Sequence, residues 1–175
     1  MSNRREELRN KILDIEIKML QEVPVKVRAA CREDLETFRL MRGAQYVGWS
    51  EETLQSYYND LLNAEREGKN LMTLKYGRMD NLIAPLNLDP LIEQIVDVLF
   101  QWQKELAGKY PSLTSQVGRP TEETVEPTMS GSVHFKNYLR LELETYSFKT
   151  LKLLYRDVDI KEYKERGTKW WKIFM

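Results

Sequence analysis

Leu88 to Pro111 reads "LDPLIEQIVDVLFQWQKELAGKYP". Asp89 is a natural helix cap, Pro90 suits the first helical position, and Gly108 and Pro111 close the segment. Between these signals Leu91, Ile92, Ile95, Val98, Leu99, Trp102 and Leu106 recur at helical spacing and form a broad apolar stripe. The same grammar extends in both directions. A first helix runs from about Glu6 to Glu22 and stops before Pro24. After the short extended link "VPVKVRAAC", a second begins near the cap Asp34 and carries Leu35, Phe38 and Met41, ending between Gly43 and Tyr46. A third starts at Ser50, with Glu51 and Glu52 where the helix dipole favours negative charge, buries Leu54, Tyr57, Tyr58, Leu61 and Leu62, and stops at Gly68.

"NLMTLKYGRMDNLIAPL" is expected as a fourth helix ending near Pro85, and a last helix is expected from about Val133 to Glu165. Between them, residues from about 112 to 131 are rich in Pro, Gly, Ser and Thr and read as a long loop. No period-two pattern of useful length appears, and there is no internal repeat. The fold class is therefore all-α: a single helical domain over residues 1–175, a bundle of five or six helices.

Composition narrows the function. Lys plus Arg and Asp plus Glu number 27 each. Zero net charge argues against general nucleic-acid binding, which rests on excess basic side chains. Cys31 is the only cysteine, which suits a reducing compartment, and a cytoplasmic location is expected. "MSNRREELRN" has no apolar run and reads as no signal peptide. No stretch approaches the roughly 20 apolar residues of a transmembrane span. His134 is the only histidine, which removes most zinc sites, serine triads and Cys-His dyads.

The informative residues are charges placed on apolar faces. Glu16 has Ile12, Leu13, Met19 and Leu20 as neighbours on its own helix face. A lone buried carboxylate costs several kcal/mol (about that order), so it needs a partner or a proton. Lys75 lies among Leu71, Met72, Met79 and Arg78, Asp80 lies one turn after Tyr76, and Glu142 is flanked by Tyr138, Leu139, Thr145 and Tyr146. If these converge they form a polar pocket inside the bundle, where helical folds build ligand sites. The expected catalytic groups are Glu16, Tyr76, Asp80 and Glu142, and the expected substrate-binding groups are Lys75, Arg78, Arg140 and Tyr146. Carboxylates and phenols would move protons, while Lys75 and Arg78 would hold an anionic substrate. The opposing reading is that such charges are structural ion pairs between helices.

A di-iron site would need paired Glu-x-x-His elements, which one histidine cannot supply. Glu33 and Glu36 match the first acidic element of the all-α nucleotide pyrophosphohydrolases, but no second follows. Three carboxylates could take a hard divalent cation through oxygen, yet no metal site and no cofactor is assigned. Cys31 lies between Arg28 and Arg32, which would favour its thiolate, although a lone cysteine is more often a small core residue. The ending "KERGTKWWKIFM" places Trp170, Trp171, Ile173 and Phe174 after Gly167. These apolar residues of the tail, 168–175, either fold back on the bundle or dock on a protein partner or a membrane interface; processing as a peptide is a further reading. Two functions compete: a small-molecule enzyme or binding protein with a buried pocket, and a non-enzymatic interaction module that presents its tail.

"DIEIKML", "CREDLETFRLMRGAQ", "WSEETLQSYYNDLLNAEREGKNLMTLKYGRMDNL", "GRP" and "YLRLELETYSFKTLKLL" together resemble the bacterial family called domain of unknown function 4125. The resemblance covers about Ile12 to Asp157. It implies a bacterial, cytoplasmic, helical protein and carries no catalytic residue with it. The sequence departs from the family pattern at Ile17, where an aromatic is expected, and in its short aromatic ending.

Overall fold

Four helices start with the same device, a polar cap three residues before a threonine. Asp34, Ser50 and Asn70 accept hydrogen bonds from the backbone N–H groups of Thr37, Thr53 and Thr73. The Ser147 hydroxyl does the same for Thr150. Each cap satisfies one of the donors that a helix start leaves unpaired. The computed structural model describes residues 3–24, 34–112 and 135–159. Among these the chain forms seven α-helices: α1 (Arg4–Glu22), α2 (Leu35–Gln45), α3 (Glu51–Arg66), α4 (Leu71–Met79), α5 (Pro90–Lys109), α6 (Phe135–Leu143) and α7 (Phe148–Asp159). A 3-10 turn, Tyr46–Gly48, joins α2 to α3.

The all-α expectation holds, and the helix count is slightly higher than five or six. The extra helix comes from a break in the last predicted one. Tyr146 and Thr145 close α6 with tight backbone hydrogen bonds to Leu143 and Glu142. Ser147 then leaves the helix: its N–H donates to Asp60 on α3 at 3.0 Å, and its hydroxyl caps α7. A tertiary partner outbids the helical hydrogen bond there. The fourth helix is also shorter than expected and ends at Met79, not near Pro85. Asn81 adopts φ 54°, and Leu82 N–H reaches back to Gly77 while Asn81 N–H reaches Arg78. This is the two-bond helix stop that a left-handed residue makes, and Asn tolerates that conformation. Gly68, with φ 67°, ends α3 in the same way.

The core forms where the helix stripes meet. On α1 the buried side chains are Leu8, Ile12, Leu13, Glu16, Met19 and Leu20, a single face. They pack with Leu54, Tyr57 and Leu61 of α3, Met72 of α4, Leu143 of α6 and Leu151 and Leu154 of α7. Full burial of each large aliphatic is worth about 1.5–3 kcal/mol. α1 packs against α2, α3 and α4, while α7 lies between α3 and α5, and α6 bridges α4 and α5. α5 buries only Ile92, Ile95 and Val96 fully; Leu99, Trp102 and Leu106 are half-buried, so its stripe is narrower than its sequence predicts. No helix among the described residues is long and apolar enough to cross a membrane.

Candidate functional site

Glu16 points into the core and is fully buried. The residue that meets it is Arg42 on α2. Arg42 Nε donates to Glu16 Oε2 at 3.2 Å and its Nη2 to Oε1, the forked contact for which a guanidinium is suited. The hydroxyls of Tyr46 and Tyr57 add hydrogen bonds to Oε1 at 2.7 and 2.8 Å. Glu16 is thereby saturated.

Arg42 also reaches the other way. Its Nη1 donates to Glu142 Oε1 on α6, and to Gln45 at 2.7 Å. Tyr146 donates to the same Glu142 oxygen at 2.8 Å. The second oxygen of Glu142 differs from the rest. Oε2 is buried and, among the described residues, accepts no hydrogen bond. It faces the Lys75 ammonium on α4 at 3.6 Å, too long for a hydrogen bond. Lys75 Nζ instead donates to the Tyr138 hydroxyl at 3.1 Å. The ammonium also lies 4.9 Å from the Tyr138 ring centre and 5.2 Å from that of Tyr76, within cation–π range.

The charge states follow from this geometry. Burial opposes ionisation of Glu142, but Arg42 and then Lys75 overcome it and lower its pKa to about 2. Burial also works against the Lys75 and Arg42 cations. The Tyr138 phenol and the Glu142 carboxylate outweigh it at Lys75, and Glu142 and Glu16 outweigh it at Arg42, so both pKa values rise. Burial pushes the phenols of Tyr46, Tyr57 and Tyr146 well up, and they stay neutral. Trp49 completes their packing, edge-on to Tyr46 at 4.9 Å, while Tyr57 and Tyr146 lie 4.7 Å apart.

Of the residues expected at the site, the structure brings together Glu16, Lys75, Glu142 and Tyr146, with the Tyr76 ring beside Lys75. It separates three others. Arg78 pairs with Glu144 through Nε at 2.7 Å and through Nη2 at 3.1 Å. Together with Arg78 Nη1 on Ile83 O and Leu86 N–H on Glu144, this pair pins the loop after α4. Asp80 is the exposed C-cap of α4, placed there by the early end of that helix. Arg140 lies on the outer side of α6 in an ion pair with Glu93 of α5. It is two positions from Glu142, and such neighbours point to different sides of a helix. Arg42 was missed, although one signal marked it: it shares a helix face with Phe38 and Tyr46, one turn away on either side. The tail residues Trp170, Trp171, Ile173 and Phe174, together with Cys31, His134 and residues 113–131 of the expected loop, lie outside the described residues.

These features define an all-α bundle organised around a buried, charge-balanced network of two carboxylates, two cations and their phenols. The chain belongs to the family described as "Protein of unknown function (DUF4125)", whose model matches residues 6–172. Neither the comparison with curated proteins nor that with solved structures finds a match.

Proposed function

We propose that this chain is a small-molecule-binding protein whose site is the Lys75–Glu142 end of the buried network, where α4 meets α6. The observation that supports it is the carboxylate oxygen left over. Glu16 and the first oxygen of Glu142 are held by guanidinium and phenol donors. Glu142 Oε2 has no donor among the described residues, and it lies beside an ammonium. A buried charged oxygen without a donor costs more than about 1–3 kcal/mol, the figure for an ordinary unpaired polar group. A ligand that supplies the donor recovers that energy.

The ionisation states favour binding over proton transfer. Glu142 stays a carboxylate and Lys75 an ammonium near neutrality, so the pair acts as fixed charges. Proton-moving groups are most effective when their pKa lies near the working pH. Tyr138, whose hydroxyl accepts from the Lys75 ammonium, is half-buried, while Lys75 and Glu142 are buried.

The test is a thermal-shift screen of a metabolite panel that spans acids, amines, amides and sugars. At least one compound should raise Tm. That shift should vanish in Tyr138→Trp, which replaces the hydroxyl beside Lys75 with a larger ring, and persist in Arg140→Ala, which lies on the outer side of α6. A panel with no active compound, or shifts that Tyr138→Trp leaves intact, would overturn the assignment.

A further inference from the structure

We propose that the groove between α1 and α2 is the seat of the chain's own aromatic segment, residues 170–174. The groove shares no residue with the Lys75–Glu142 contact of α4 and α6. Its volume is about 410 Å³, within the roughly 300–1,000 Å³ of clefts that bury a ligand. The floor is apolar, made by Leu13 of α1 and by Leu40, Ala44 and Val47 on α2 and the turn after it. α2 comes close to Leu13 through Gly43, where an added Cβ would already touch Leu13 Cδ1 at 3.5 Å. Leu40 is 51% exposed, and an apolar occupant takes that surface out of water.

The place where α7 ends selects the occupant. Asp157 accepts from the Ser50 N–H at 2.8 Å. Val47 stands three residues before Ser50, at most about 10 Å away along the chain. Arg5 ties that corner to α1 by donating to the carbonyls of Val47 and Trp49, both at 2.8 Å. Arg9, one turn further along α1, lines the groove. α7 therefore ends, at Asp159, on the side where Val47 opens the groove. Residues 160–169 then precede Trp170. These ten reach about 33–36 Å if extended and about 15 Å if helical, and either length suffices. The other exposed apolar set, Leu82, Leu86 and Leu88, belongs to the opposite end of α7. There the Leu86 N–H donates to Glu144, just before Phe148 starts that helix.

The rim suits the same segment. Arg9 Nε is buried and has no acceptor among the described residues. An aromatic face attracts a guanidinium without being an acceptor, and Trp does so best. Trp170 and Trp171 supply that face. Glu36 is exposed at the far end of the groove and answers Lys172, which follows Trp171. Ile173 and Phe174 meet the aliphatic floor.

The experiment is methyl NMR on the whole chain, with and without the double substitution Trp170→Ala, Trp171→Ala. The Leu13, Leu40 and Val47 signals should shift as they lose the indole ring currents, while those of Leu82, Leu86 and Leu88 stay. The converse variant, Leu40→Glu, places a charge in the groove. In fluorotryptophan-labelled chain it should shift the Trp170 and Trp171 fluorine signals and leave Trp49, which is buried in the core, as the check on folding. The double substitution lies outside α1–α7 and decides the matter even if Leu40→Glu unfolds. Groove methyls that stay in place after the double substitution would overturn the proposal. So would Trp170 and Trp171 signals indifferent to Leu40→Glu in a folded chain. Shifts that fade on dilution would seat the segment in a second copy and overturn its assignment to its own groove.

Discussion

At the α3–α7 contact and at the α4–α6 contact the bundle buries acidic side chains in whole or in part, and it treats them differently. Between α3 and α7 the helices cap each other. Asp157, near the end of α7, accepts from the Ser50 N–H at 2.8 Å and the Thr53 hydroxyl at 2.6 Å at the start of α3. Asp60, late in α3, accepts from the Ser147 N–H at 3.0 Å and the Thr150 hydroxyl at 2.7 Å at the start of α7. Each carboxylate thus sits at the positive end of the other helix. Its donors are neutral and local to the turn that needs capping. At α4–α6 the acid is answered by long cationic side chains from other helices, and one of its oxygens has no donor among the described residues. The first arrangement closes a fold. The second leaves that oxygen answered by charge alone, with the Lys75 ammonium 3.6 Å away.

Arg42→Met should produce the largest change. It leaves Glu16 and Glu142 without their shared cation, and breaking a buried pair costs about 3–5 kcal/mol. Urea unfolding measures it, against Arg156→Ala, whose exposed pair with Glu52 is worth under about 1 kcal/mol. Equal losses in the two variants would show that the buried network is not what organises the core.

Acid should find the α4–α6 contact next. The Glu142 carboxyl titrates at about 2 in the folded chain, below its ordinary 4.5. The folded state therefore binds fewer protons than the unfolded chain in that interval. Its contribution is fully present above 4.5 and is lost as pH falls toward 2. Glu142→Gln should flatten the stability profile across that window, followed by denaturant titration at a series of pH values. An unchanged slope would mean that the carboxyl is not held by Arg42 and Lys75.

Asp157→Ala should cost about 1.5–3 kcal/mol, the value of hydrogen bonds to a charged group. Hydrogen exchange should show faster opening in the first turn of α3, where Ser50 and Thr53 lose their acceptor. Protection unchanged at that turn would argue against mutual capping. The smallest effect on stability belongs to Tyr138→Phe. It removes a half-buried hydrogen bond to Lys75 worth about 0.5–1.5 kcal/mol. Thermal unfolding should register a loss in that range, clearly below that of Asp157→Ala; a larger loss would make Tyr138 part of the core.

Helix positions were readable because their causes are local. The caps Asp34, Ser50 and Asp89 and the stop at Gly68 stand where the residues place them. Glu16 and Glu142 could be singled out because each interrupts an apolar face. Arg42 escaped notice because a long cation on such a face usually extends to solvent. Asp80 was misplaced with the end of α4, which one Asn backbone conformation shortens, and Arg78 is drawn away by Glu144, 66 positions on. The break before α7 depends on Asp60, 87 residues away from Ser147 in the chain.

Pattern along the chain determines the class of this protein, an assembly of amphipathic helices with charges set into their apolar stripes, because helix periodicity and capping act over three or four residues. Which charges meet is another matter. Glu16 and Glu142 share one guanidinium across 126 positions of sequence, and the packing of α4 on α6 sets the second Glu142 oxygen 3.6 Å from the Lys75 ammonium. Partner choice and leftover valence come from helix placement in space, and no local propensity encodes them.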